Sequence, residues 1–124
     1  MSLQLTARRN FRWALLALRA EGSTFGAAAV LDTGAGRNRP NMRVDGLAPT
    51  ITAGGASSRR YYLTSAGTFL TIPQLFALQG FQTSWVMCDG CSISEAQQGK
   101  AIGNAMSVPV LAAVMEAAIA SCNL

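Results

Sequence analysis

The sequence contains no histidine. A histidine general base and a histidine-bound metal are therefore both excluded. Charge is also scarce: 13% of residues are charged and only six are acidic. With half the chain hydrophobic, so little charge argues against a solvated, disordered tail and for a buried or interface-rich protein. Cysteine is limited to Cys88, Cys91 and Cys122. An odd, sparse set excludes a disulfide framework and suits a reducing compartment. Cys88 and Cys91 have the spacing of half a zinc site, yet with only Cys122 beyond them the chain cannot complete four cysteine or histidine ligands, and no metal is expected. The basic start lacks the unbroken apolar core and cleavage pattern of a signal peptide. The most apolar stretch, 101–120, is interrupted by Asn104, Pro109 and Glu116, and so reads as a buried helix, with a membrane span as the remote alternative.

What charge there is lies unevenly. Residues 1–60 hold nine arginines against Glu21, Asp32 and Asp45, a balance of +6, while 61–124 hold Lys100 against Asp89, Glu95 and Glu116, a balance of −2. A basic half suits a polyanion, most simply nucleic acid. A solvated basic face or an acidic protein partner accounts for the same pattern. The Arg-rich start also has the composition of an organelle transit peptide; its plainer reading is an amphipathic surface helix.

Apolar spacing predicts a helix over 7–20, capped by Thr6, with Phe11, Ala14, Leu15 and Leu18 on one face and Gly22 ending it. Residues 27–32 predict a strand, 33–48 a loop, and Thr50–Thr52 a second strand. Ala53–Ser58 reads as a small-residue turn and Arg60–Leu63 as a strand. Thr71 and Pro73 predict a helix running to about Gln79, before Gly80. Residues 82–94 read as irregular. The last helix is expected over Val108–Ser121, with Val108, Leu111, Ala112, Met115, Ile119 and Cys122 on one face. Val30 to Gly36 has the form of a strand leading into a glycine loop, as in general S-adenosylmethionine methyltransferases. The helix such a loop must open is missing, since Asn38, Pro40 and Asn41 follow.

Two blocks carry a more specific signal. The first is Leu70-Thr71, two residues, Gln74, then Leu78-Gln79-Gly80-Phe81; the second is Ile102-Gly103-Asn104-Ala105-Met106-Ser107-Val108-Pro109-Val110. Here the sequence resembles the cytosine-5 DNA methyltransferase family. The first block is similar to that family's ninth motif and the second to its tenth, in the right order and at a fitting spacing. Upstream, Ala48-Pro49-Thr50-Ile51-Thr52 and Tyr61-Tyr62-Leu63 resemble the end of the family's target-recognition region. The resemblance runs from Pro49 to Ile119. It implies that Asn104 and Ser107 touch S-adenosylmethionine, and that double-stranded DNA is the nucleic-acid partner.

The chain departs from the pattern at Thr68, Gln74, Ala77, Gln82 and Ala101, where the family places Arg, Glu, Arg, Pro and Gln. It also lacks the family's chemistry. The reaction needs a cysteine thiolate, following a proline, to add to C6 of a flipped cytosine, with a Glu-Asn-Val glutamate beside it. The three cysteines follow Met87, Gly90 and Ser121, and the three glutamates precede Gly or Ala. No residue is therefore assigned as catalytic, and the early Phe-x-Gly-x-Gly cofactor loop is absent too.

The expected fold is α+β: a single unit, 1–67 recognition-region-like and 68–124 like the ninth and tenth motifs, with short strands and a C-terminal helix. The expected role is the DNA-recognition and cofactor-closing part of a cytosine-5 DNA methyltransferase, using S-adenosylmethionine only together with a complementing catalytic chain. Arg37, Arg39, Arg43, Arg59 and Arg60 would face DNA phosphate, with Gly54 to Ser58 near the groove. The alternative is a non-enzymatic accessory subunit of a larger assembly, descended from such an enzyme. The resemblance implies a nucleus or a bacterial cytoplasm, and the Arg-rich start an organelle.

Overall fold

The computed structural model describes residues 5–22, 28–36, 41–82, 84 and 92–122. Among them, four short strands, β1 (Val30–Asp32), β2 (Asn41–Arg43), β3 (Tyr61–Leu63) and β4 (Thr68–Phe69), form one sheet in the order β2-β1-β3-β4. Every pairing is antiparallel, and Leu31 lies opposite both Met42 and Tyr62. The helices are α1 (Leu5–Ala20), α2 (Ala53–Ser57), α3 (Ile72–Leu78), α4 (Glu95–Asn104) and α5 (Val108–Ser121). Helices beside an antiparallel sheet make the fold α+β, as expected from the sequence.

Helix α1 buries Asn10, Ala14 and Leu18, a stripe at helical spacing. Phe11 meets Tyr62 edge-on at 4.7 Å between ring centroids, and Tyr62 meets Phe69 in the same way at 5.2 Å. The helix begins two residues earlier than its pattern indicates, at Leu5, so Thr6 lies inside it. Its buried face also includes a polar residue, Asn10, in place of the expected Phe11. The Asn10 amide donates to the Thr33 and Ala35 carbonyls at 2.9 and 3.1 Å, tying α1 to the turn after β1. Residues 33–36 after Asp32 are non-helical, and β2 pairs antiparallel with β1.

The core gathers Val30, Ile51, Ala56, Tyr61, Leu70, Ile72, Leu75, Phe76 and Ile102. Two expectations fail around it. Thr50–Thr52 is no strand; its backbone is taken up by the buried Tyr61 hydroxyl, which accepts from the Thr52 N–H at 2.8 Å and donates to the Thr50 carbonyl at 3.1 Å. Ala53–Ser58 is no simple turn either. Thr52 Oγ1 accepts from the Gly55 N–H at 3.1 Å and caps the helical turn α2. The expected loop over 33–48 contains β2, which pairs through its backbone while its side chains stay largely exposed.

Helix α3 begins as its sequence indicates. Thr71 and Gln74 form a reciprocal capping box, so Gln74 performs the capping that a glutamate would perform there. Helix α4 is unanticipated. It lies directly on α2, where a Cβ on Gly103 would collide with the backbone of Thr52 and Ala53, and one on Gly99 with that of Ala56 and Ser57. Helix α5 has the expected bounds, but it is not buried: none of its residues is, and Val110, Val114 and Met115 are each more than half exposed. Among the described residues, its contacts lie at its first turn, where Val108 and Pro109 meet Gln79 and Gly80. Although Glu95–Ser121 passes as a membrane span on length and composition, the helix breaks at Ala105–Ser107. Helix α5 alone has 14 residues, short of the roughly 20 that a span requires.

Candidate functional site

An open cleft of about 1050 Å³ lies between the start of α1, the β1–β2 turn, the residues after α2, and β4 with the start of α3. Its polar lining includes Thr33, Ser58, Arg59, Arg60, Thr71 and Glu95. The short links around Tyr61 place both arginines here. Arg59 adopts the left-handed region at φ 49°, turning the chain from α2 into β3.

Arg60 lies across Gly34. A Cβ on Gly34 would collide with the Arg60 stem and guanidinium, and one on Gly54 would reach 3.8 Å from Arg60 Nη2. The guanidinium thus sits in a slot between two glycines. Its Nε is buried without a hydrogen-bond acceptor. Asp32 Oδ1, at 3.9 Å, provides charge but is too far to accept a hydrogen bond, and it already accepts the Gly34 N–H at 2.9 Å. Arg59 pairs with Glu95 at the N-terminus of α4, with both side chains about 60% exposed. Arg43 lies on β2, outside the cleft, and forms a two-pronged pair with Asp45. Its hydrogen bond holds the Asp45 carboxyl below its ordinary range. Arg37 and Arg39 lie outside the described residues, as do Cys88 and Cys91.

The arginines named from sequence therefore divide. Arg59 and Arg60 share a cleft, while Arg43 does not. Each has a carboxylate neighbour, which offsets its charge. Glu95 and Gly34 were missed as site residues: a single acid far along the chain, and a glycine whose role depends on the side chain lying over it, give no local pattern.

Asn104 and Ser107 lie elsewhere, at the end of α4 and at the N-cap of α5. Asn104 is exposed and Ser107 half-buried; Ser107 makes no side-chain cap, and neither side chain has a hydrogen bond among the described residues. Neither lines the cleft. The two sequence blocks that carry the family resemblance meet in space. The Val108 N–H donates to the Gln79 carbonyl at 2.8 Å, and Gly80, at φ 84°, lies beneath Pro109, whose Cδ would be 2.6 Å from a Cβ there.

No family model, no curated protein and no solved structure matches the chain.

Proposed function

We propose that this chain is the DNA-recognition and cofactor-closing part of a cytosine-5 DNA methyltransferase, catalytically incomplete by itself. The observation that supports this reading is the meeting of the two motif-like blocks: Gln79-Gly80 seats Val108-Pro109. In the complemented enzyme, Asn104 and Ser107 contact S-adenosylmethionine, which supplies the methyl group when bound. The exposed apolar α5 then meets the catalytic domain. Arg59 and Arg60, with Arg43 and the flanking Arg37 and Arg39, face DNA phosphate.

The test is DNA binding as a function of salt. Affinity should fall steeply as salt rises, because phosphate contacts release counterions. An affinity insensitive to salt, or unchanged in an Arg59→Ala, Arg60→Ala double variant, would sink the phosphate assignment.

A second reading, a non-enzymatic accessory subunit, draws support from the pairing of Arg43 and Arg59 with Asp45 and Glu95. Each carboxylate competes with any outside anion. Isolation of the native complex separates the two readings: a methyltransferase catalytic chain favours the first and an unrelated assembly the second.

A further inference from the structure

We infer that the cleft is a built site for one phosphate-type oxyanion, anchored on Arg60 and completed by Arg59 when it exchanges Glu95 for the ligand. The inference deepens the DNA-binding reading and rests on it only for the source of the phosphate.

Arg60 is held in place without being neutralised by a hydrogen bond. Its guanidinium lies between Gly34 and Gly54, and Asp32 is 3.9 Å from Nε. A guanidinium presents a planar fork of donors that matches an oxyanion. Holding that fork fixed removes much of the ordering cost of binding. The cleft also offers the hydroxyls of Ser58 and Thr68, and its volume of about 1050 Å³ exceeds what a single phosphate needs, leaving room for the group that bears it.

Arg59 supplies the second cation and also the control on it. Its partner Glu95 lines the same cleft and occupies the position on the guanidinium that an oxyanion oxygen would take. An exposed pair of this kind contributes little to stability. A doubly charged phosphate beside Arg60 can therefore displace it. Glu95 acts as an internal competitor that lowers affinity for weak anions.

Phosphate could come from a nucleic-acid backbone or from a free phosphorylated molecule, and two probes distinguish them. Binding of inorganic pyrophosphate is measured by calorimetry, and binding of a labelled DNA duplex by fluorescence anisotropy. Both use the full chain, with thermal melting to verify folding. Arg60→Gln should weaken pyrophosphate binding about tenfold or more, the loss expected for a hydrogen bond to a charged group. Gly34→Ala should do the same by displacing the guanidinium from its slot. Glu95→Gln, at an exposed position that tolerates change, should tighten binding about two- to fivefold. That variant keeps the test decisive if Arg60→Gln fails to fold.

Pyrophosphate binding that depends on Arg60 and Glu95, without DNA binding, supports the site and rejects DNA as its ligand. Dependence of both probes on these residues supports the site with a nucleic-acid source. DNA binding indifferent to Arg60→Gln and Glu95→Gln, with no pyrophosphate binding, overturns the site while leaving DNA recognition to other residues. No binding of either probe overturns it as well.

Discussion

The Tyr61 hydroxyl accepts a hydrogen bond from Thr52 and donates one to Thr50, with its ring in the core at 1% exposure. Replacing it with phenylalanine leaves a backbone N–H and a carbonyl without their partner. Tyr61→Phe should cost about 1–3 kcal/mol, the desolvation penalty of the orphaned groups; denaturant unfolding at constant slope would show it. A midpoint unchanged in the variant would mean that water reaches Thr50 and Thr52. Asn10, fully buried, is the corresponding group on α1, and Asn10→Leu should destabilise by a similar amount by stranding the Thr33 carbonyl, while Ala35 keeps Arg9 as a donor. Neither role was legible in the sequence. Thr50-Ile51-Thr52 has strand composition because β-branched residues suit any extended backbone, and only the distant Tyr61 decides that no partner strand satisfies it. Asn10 sits among arginines on a helix and reads as surface. The arginines themselves were legible by type, but their carboxylate partners, in particular Glu95 for Arg59, were not.

At the level of elements, caps were the most readable features and packing the least. Thr71, Pro73 and Gln74 announced α3 because capping is a local interaction over three residues. Helix α4 was hidden because Gly99 and Gly103 look like helix breakers; their value lies in letting its backbone approach α2. Gly103→Ala should therefore lower stability, although alanine is the better helix former, by about 1–3 kcal/mol for overpacking against a backbone that has little room to move. Thermal melting checks this, and a rise in midpoint would mean that α4 does not rest on α2. For α5 the opposite holds. Val114→Gln should change the stability of the isolated chain by no more than about 0.5 kcal/mol, because the position is exposed, while weakening assembly with a catalytic domain. The sequence revealed the bounds of α5 but not its exposure, since a helix apolar all round looks the same whether its cover lies in its own chain or another.

For the whole molecule, α+β was legible from the alternation of short strand-like and helix-like segments, and the two motif-like blocks were legible as sequence before their contact was known. What joins them is the Gln79 carbonyl and the seat that Gly80 makes for Pro109, a meeting across 29 residues that no local pattern encodes. The proposed role is recognition and closing, with no nucleophile in the chain. Covalent activation of cytosine C6 requires a positioned thiolate, and proximity alone does not replace it. The most direct test follows transfer of a labelled methyl group from S-adenosylmethionine to duplex DNA. It compares the purified chain, a cytosine-5 methyltransferase catalytic half that lacks its own recognition end, and the two mixed. The account expects no transfer by the chain alone, transfer by the mixture, and a weakened cofactor response when the mixture carries Asn104→Ala. Robust transfer by the 124-residue chain alone, or none from a mixture that forms a stable complex, would contradict it.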